Sequence, residues 1–506
     1  MSETDSVAQQ GAGSTAIERE YAKGDQNQEE EKKIYTTMFF QRPLTFNQAA
    51  SWVFCHYLMV GLIQGYNVSV QYNLQSNGAS FSDQSTLSLA LYPYSLKFLF
   101  SPILDRYFVS KMGRSKTYII IGGSVLGSVF CFLGPTIQTL VDETKVVPLT
   151  VTFFIVNFMV TIVQIAGEAW ILTMFNKDDK SKASTFLSLG QSLGVILGYN
   201  VFTPLNDVTW LNNNIFPNNH RDSPLVTHSM FCITVALYIF AQIAVNLLFI
   251  AEERMMDKKA KDICKILSIV PRHVTNPHML AFVGYMFGTR FIYYMVDQAF
   301  DLELVRNGYL DIGRSTLSNV DTITFPFVFM MSYLTIYFMK RGQLIRMFHL
   351  TMFVVILNGT FRYVTWLNLV TDRNMTLTII ARVFSGIIAG MDFTTFFLMS
   401  FFNTIVNKAV GNTGITCLIA IMNQTGTLSN TLGLKLIGIV GFSPVVITCL
   451  IVQLILLVAL FRYTKYFDYK DPKYFDLSEP YKKDSQSSKD TVVDTIASGS
   501  IQREKL

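Results

Sequence analysis

Seven ionisable side chains stand inside runs of otherwise apolar residues: Lys97, Glu168, Arg290, Asp297, Arg362, Arg382 and Asp392. A charge placed in lipid costs roughly 2.5–3.5 kcal/mol or more, so each must be held by protein or by water. Their spacing narrows the chemistry. Asn157, Thr161, Gln164 and Glu168 recur at intervals of 4, 3 and 4 residues, which puts all four on one helical face. Arg290, Tyr294, Asp297 and Asp301 repeat that pattern. Further stripes are Tyr94, Lys97 and Ser101; Thr351, Asn358, Arg362 and Thr365; and Thr416, Asn423, Thr427 and Asn430. A polar stripe on an apolar helix faces another helix or water, never lipid. Several helices are therefore expected to surround a polar cavity. Lys97, Arg290 and Arg362 suit phosphate or carboxylate groups. The alternative is that the charges only pair with one another and fix the packing. Arg290 and Asp297 lie roughly 10 Å apart along an axis, so their partners are expected on other helices. Lys97 is the strongest single candidate, because it lies too deep to snorkel easily; Arg382 lies near the outer end of its run.

The elements that must position these groups follow from hydropathy. Of 506 residues, 50% are hydrophobic and 15% charged, and the mean hydropathy is +0.33. Soluble domains run near a quarter charged; this chain reads as an all-α membrane protein. A spanning helix needs about 20 apolar residues. Twelve stretches qualify, near 46–66, 84–104, 117–140, 149–172, 183–204, 229–250, 279–300, 316–339, 346–367, 376–401, 411–438 and 442–463. An even number puts both tails on one side. With the tails in the cytoplasm, the inner loops carry seventeen lysines and arginines and the outer loops six, so the tails are expected to be cytoplasmic. The sequon at Asn374 then faces outward. The longest inner loop follows the sixth span. The expected organisation is a polar N-tail (1–43), a six-helix bundle (44–250), a central loop (251–278), a second bundle (279–463) and a polar C-tail (464–506). Six-plus-six is the layout of the major facilitator superfamily, with a central site between related halves.

Other chemistry finds little support. A net charge of +5, with no basic face, gives no reason to expect nucleic acid. Six cysteines without a CxxC pair read as buried thiols, not as a zinc site or disulfide framework. No metal or cofactor is expected, and no cleavable signal peptide precedes the first apolar run. The glycines in GQSLGVILG, Gly190, Gly194 and Gly198, repeat every 4 residues and predict close packing of the fifth span on a neighbour. GAGS at Gly11 lies in a polar tail with no strand or helix beside it, so it is no phosphate loop.

The loop LDRYFVSKMGRSK resembles the loop between spans two and three of major facilitators. Asp105, Arg106, Gly113 and Arg114 fall in the expected order, with a longer insertion between Arg106 and Gly113. The resemblance implies a role in the conformational switch. Four longer stretches resemble the acetyl-coenzyme A transporters of endomembranes: YPYSLKFLFSPILD (92–105), EAWILTMFNKDDKSKASTFLSLGQSLGVILG (168–198), LVRNGYLDIGRSTLSNVDTITFPF (304–327) and FFNTIVNKAVGNTGITCLIAIMNQTGTLSN (401–430). One departure is Gln164, where that family has an aspartate. The resemblance implies a carrier of acetyl-CoA from cytosol into the lumen of the endoplasmic reticulum or Golgi. The residues themselves say only that the solute is an anion. They also fit a proton-coupled permease for another solute, with Glu168, Asp297 and Asp392 as proton carriers. A multi-pass acyltransferase would need an intramembrane catalytic histidine, and only His56 lies well inside a span. A receptor or scaffold is a further class. The expected site is thus Lys97, Tyr94, Tyr57, Gln164, Glu168, Trp170, Arg290, Tyr294, Asp297, Arg362, Asp392 and Asn423. Coupling mode and oligomeric state, monomer or homodimer, stay open.

Overall fold

The computed structural model describes residues 42–175, 180–252, 276–306, 313–324, 326, 344–372, 375–390 and 411–469. Apart from a single bridge between Arg42 and Ile250, the regular structure of these residues is helical. In chain order the helices are α1 (Phe46–Ser76), α2 (Phe81–Ser88), α3 (Tyr92–Ser95), α4 (Lys97–Arg106), α5 (Arg114–Asp142), α6 (Val146–Met174), α7 (Lys180–Val195), α8 (Phe202–Leu205), α9 (Val208–Asn214), α10 (His228–Leu248) and α11 (Pro277–Val305). Residues 314–324 form α12. They are followed by α13 (Leu344–Asp372), α14 (Met375–Gly390), α15 (Gly411–Val440), α16 (Phe442–Leu460) and α17 (Tyr463–Tyr469). Eight stretches among the described residues are long and apolar enough to cross a bilayer. The expected spans near 316–339 and 376–401 lie partly outside the described residues.

Two departures from the hydropathy reading concern the site. First, α1 runs to Ser76, well beyond the expected boundary at 66. Its last turns carry Gln71, Asn73 and Gln75, which are polar yet buried by protein, so a window tuned to lipid does not register them. Second, the span expected at 84–104 is broken. A tight turn at Leu89–Leu91 separates α2 from α3, and the chain leaves helical geometry again at Leu96. Pro93 lies in the first turn of α3, where its missing N–H is tolerated. Lys97 therefore opens a fresh helix, α4.

One end of the bundle gathers Arg42, Gly113, Phe175, Glu252, His278 and Tyr466, near both termini of the described chain. This is the tail end; the opposite end, with the loops after α1 and α11, is the distal end. At the tail end two acids each close onto a helix N-terminus. Glu252 accepts from the backbone amides of Ser115 and Lys116, both at 2.9 Å. Asp468 accepts from those of Ile345 and Arg346, at 2.8 and 3.0 Å. Each satisfies amides that a helix start leaves without intrahelical partners. Gly113 has a φ of 102°, which disfavours any side chain, and a Cβ there would overlap the Glu252 carboxylate.

The glycines of α7 and of the turn that follows it meet α1. A Cβ on Gly190, Gly194 or Gly198 would overlap the carbonyl of Phe54, Leu58 or Leu62, and α1 answers with Gly61 and Gly65. Apolar side chains form two buried clusters. One runs from Ala49 to Ile250. The other runs from Met279 to Phe467 and also takes in Tyr72, Phe81 and Tyr199 from the first part of the chain. Those three residues all lie toward the distal end.

Candidate functional site

Between these two clusters lies a cavity of about 630 Å³. From the first part of the chain, α1 contributes Gln64, Asn67 and Gln71, the broken span contributes Tyr94 and Lys97, α6 contributes Gln164 and α7 contributes Gln191. From the second part, α11 contributes Arg290, Tyr294, Asp297 and Gln298, and α15 contributes Asn423, Thr427 and Asn430. The stripes on the broken span, α6, α11 and α15 thus each turn at least one residue inward, while the stripe on α13 does not line the cavity.

Lys97 and Glu168 form an ion pair at 3.3 Å, with side chains 8% and 39% exposed. The break at Leu96 places Lys97 at the start of α4, and the stripe on α6 brings Glu168 opposite. The upper part of that stripe is spent on packing: Asn157 accepts from Asn67 at 2.9 Å and donates to the Ala90 carbonyl at 2.8 Å.

On α11, Arg290 is 6% exposed. Its guanidinium lies 4.9 Å over the Tyr294 ring and donates to the Tyr294 hydroxyl at 3.2 Å. Its Nε and Nη1 have no hydrogen-bond partner among the described residues. Gln453 of α16 enters the backbone ladder beside it, accepting from the Tyr293 amide and donating to the Gly288 and Thr289 carbonyls, each at 3.0 Å.

Two turns further on, Asp297 accepts from Arg362 at 2.9 Å and from the Tyr293 hydroxyl at 3.0 Å. Arg362 also reaches Asp301 at 2.6 Å and lies 4.6 Å over the Phe300 ring. Asp301 is shared with Arg382, which makes a two-pronged contact with Asp321 at 2.8 and 2.9 Å. Arg382 is therefore held inside the protein and does not extend toward an interface. From across the molecule the Tyr199 hydroxyl donates to Asp321 at 3.1 Å. A row of carboxamides floors the cavity at the distal end: Asn430 donates to Gln298, and Gln298 to Gln71.

Seven of the expected site residues line the cavity: Tyr94, Lys97, Gln164, Arg290, Tyr294, Asp297 and Asn423. Glu168 adjoins it through Lys97. Arg362 stands behind Asp297. Tyr57 and Trp170 are buried in the first cluster, 0% and 2% exposed; Trp170 packs edge-on against Trp52, on which His56 stacks. Asp392 lies outside the described residues, as do the side chains of Asp105 and Arg106. Arg114 begins α5, and Gly113 meets Glu252 as described. Burial pushes the Glu252 carboxyl above its usual value, opposed by the two backbone amides and by Arg114. Reasoning from charge passed over Gln64, Gln71, Gln191 and Gln298, because amides give no alarm in an apolar run. Asp321 was recoverable: it is an acid inside an expected span, as notable as Asp297.

Fold and cavity together have the architecture of the major facilitator class. Within that class, a family model described as "Acetyl-coenzyme A transporter 1" matches residues 52–266, so the resemblance seen in the sequence holds for that stretch. The chain is 32% identical over 164 residues to an uncharacterized protein of Schizosaccharomyces pombe, covering 32% of this chain and 31% of that one. It is 28% identical over 213 residues to an uncharacterized membrane protein of Saccharomyces cerevisiae, covering 36% and 38%. These alignments span about a third of the curated relatives' length. Among solved structures, a D-xylose-proton symporter superposes with a TM-score of 0.53 at 14% identity, over 84% of this chain and 99% of that one. The nucleoside transporter NupG gives 0.56 at 11% identity, over 82% and 99%. At such identities the likeness is one of fold. The matched family model and the structural neighbours are described as transporters; His56 and His349 are both buried, at 1% and 0% exposure.

Proposed function

We propose that the chain is an alternating-access carrier of an anionic solute, namely acetyl-CoA, moving it from the cytosol into the lumen of the endoplasmic reticulum or Golgi. The observation that carries the anion is Arg290: a guanidinium in the wall of the central cavity, with two nitrogens lacking partners among the described residues. A buried cation without a carboxylate is costly unless a ligand completes it. The cavity volume, about 630 Å³, lies within the roughly 300–1,000 Å³ of small-molecule sites. Phosphates go to Arg290 and Lys97, the adenine to the Tyr94 and Tyr294 rings, and the amides of the pantetheine arm to the carboxamides. The family match over residues 52–266 supports acetyl-CoA as that solute.

In this reading twelve helices form two six-helix halves, 44–250 and 279–463, that rock about the cavity. The tails are cytoplasmic, so the distal end is lumenal. Hydrogen bonds between the halves gather there: Tyr199 to Asp321, Asn200 to Ser318, Ser315 to Asp207 and Ser85 to Thr431. This is the state closed toward the lumen. The loop from Asp105 to Arg114 participates in the switch through the contact of Gly113 with Glu252.

Uptake of labelled acetyl-CoA into liposomes bearing the purified chain tests the proposal. Saturable uptake in the wild type, lost in Arg290→Ala, is the expected result. No uptake by folded protein removes the solute assignment; uptake that ignores Arg290→Ala removes the site.

A further inference from the structure

A second cavity, of about 410 Å³, lies at the distal end and shares no lining residue with the central one. The end of α1 gives it Asn73 and Asn77, the end of α5 gives Gln138 and Asp142, and the chain after α8 gives Asn206. These belong to the first part of the chain. The second part gives Arg314, which opens α12. The next residue, Ser315, donates to Asp207 at 2.6 Å, so the cavity sits beside one of the contacts that join the two parts.

The hydrogen-bonding groups of this cavity are divided. Asn73 and Asn77 donate through their side-chain nitrogens to the Ser69 and Val141 carbonyls, at 2.8 and 3.2 Å. The Gln138 nitrogen donates to both oxygens of Asp142, each at 3.0 Å. Carbonyls and carboxylates accept, so these bonds fix which end of each amide is oxygen. The amide oxygens accept nothing from the described residues, which leaves the cavity a set of free acceptors beside the Asp142 carboxylate. Arg314 is the opposite case, a side chain of donors alone. Among the described residues its side chain makes a single hydrogen bond, a long one from Nη2 to Asn206 at 3.5 Å, and its Nε is buried without a partner. The fields of Asp207 and Asp142 reach it, but neither forms an ion pair with it: Asp207 accepts from Ser315 and from the Trp210 amide, and Asp142 from Gln138.

An anion alone, set on Arg314, would meet the field of both carboxylates. A cation alone, set on Asp142, would meet the guanidinium. A ligand that carries both charges satisfies both groups and brings no net charge into the site. We propose that the distal cavity is a second binding site, for a small zwitterion whose anionic group pairs with Arg314 and whose ammonium group meets Asp142 and the free amide oxygens. The volume suits a small molecule. Since Arg314 and Asp142 come from different parts of the chain, the occupant ties those parts together and favours the closed distal end. The site is independent of the solute assigned to the central cavity; its effect on transport rests on the alternating-access reading given above.

The probes are glycine, β-alanine, γ-aminobutyrate and δ-aminovalerate, a series in which ammonium and carboxylate move steadily apart, with acetate and butylamine as carriers of one charge each. Each is added to the purified full chain at up to about 10 mM, enough to reveal a ligand of millimolar affinity, and the melting temperature is read. One length in the series is expected to raise it saturably, in the wild type and in Arg290→Ala alike, while acetate and butylamine leave it unchanged. Arg314→Gln and Asp142→Asn should each weaken the apparent affinity by about tenfold or more. Asp142 is exposed at the rim of the cavity, so its variant serves if Arg314→Gln does not fold. No shift from any member of the series, or equal shifts in wild type and Asp142→Asn, overturns the site. A shift produced by acetate as well overturns the zwitterion, and one lost in Arg290→Ala moves the binding to the central cavity and overturns the distal site. With the best binder on both faces of the liposome membrane, acetyl-CoA uptake should slow in the wild type and not in Asp142→Asn; equal slowing overturns the clamp. Absence of acetyl-CoA uptake under every condition counts against the solute assignment alone, and the melting series then decides the site by itself.

Discussion

Lys97 Nζ lies 3.3 Å from Glu168 Oε1, bridging the broken second span and α6 across the edge of the cavity. The pair is asymmetric: the lysine is enclosed, the carboxylate about two-fifths exposed. Its coupling should fall between the median of exposed pairs and that of fully buried ones, about 1 kcal/mol. A double-mutant cycle of Lys97→Ala and Glu168→Ala on the melting temperature of detergent-solubilised protein measures it. Uptake separates the two duties of Lys97. Since Lys97 also lines the cavity, the double variant should remain as defective as Lys97→Ala; recovery in the double variant would mean that Lys97 serves Glu168 alone.

Much of this arrangement was legible because charge inside an apolar run is expensive and therefore placed. The stripe Arg290, Tyr294, Asp297 gave one wall of the cavity from spacing alone, and the four-residue repeat of glycines gave the tight face of α7. Trp170 and Tyr57 show the limit of the method. An aromatic residue satisfies a bilayer, a core or a ligand equally, so composition does not say which, and both are core. The carboxamide floor was invisible for the opposite reason, since Gln71 and Gln298 cost little in any setting. The break at Leu89–Leu91 precedes Pro93, which cannot continue the helix before it, and hydropathy averages both that break and the one at Leu96 away.

The seam between α1 and α7 admits no side-chain carbon. At Gly194 the obstruction is the Leu58 carbonyl, which belongs to backbone and has no rotamer to change. Gly194→Ala must push the two helices apart along their whole contact. Losses of roughly 1–3 kcal/mol are usual for overpacking in a well-packed interior. The expected outcome is reduced yield and a lower melting temperature, while Gly284→Ala, with no neighbour around its added carbon, should be close to neutral. Equal behaviour of the two variants would contradict the seam.

The two acid clasps at the tail end differ in burial, and so should their variants. Glu252 is 5% exposed; Glu252→Ala leaves the Ser115 and Lys116 amides without an acceptor, at about 1–3 kcal/mol. Asp468 is partly open to water, which can replace it, so Asp468→Ala should cost less. Burial raises the Glu252 carboxyl, so folding favours its protonated form. Its contribution is full in acid and is lost as pH rises through the raised value. The deficit of Glu252→Ala against wild type should therefore be larger near about pH 5 than near about pH 8. A deficit that grows with pH would show that the charged form is the one the clasp prefers.

Tyr199 fastens the distal end. It sits in the widened helical turn Ile196–Val201 between α7 and α8, a type of distortion often found at functional positions, and its hydroxyl reaches Asp321 of α12. Tyr199→Phe keeps the ring against Tyr72, 5.4 Å between centroids, and removes only the hydroxyl. A hydrogen bond of this kind is worth about 1 kcal/mol, more to a charged partner. The closed distal end should then open about five-fold more often. With the native cysteines replaced, a Gln71→Cys probe in the cavity floor should react correspondingly faster with a membrane-impermeant thiol reagent supplied from the distal side. An unchanged rate would mean that the closure rests on the carboxamide floor and the packing of Tyr72, Phe81 and Tyr199 into the second cluster, with the hydroxyl contributing nothing to the gate.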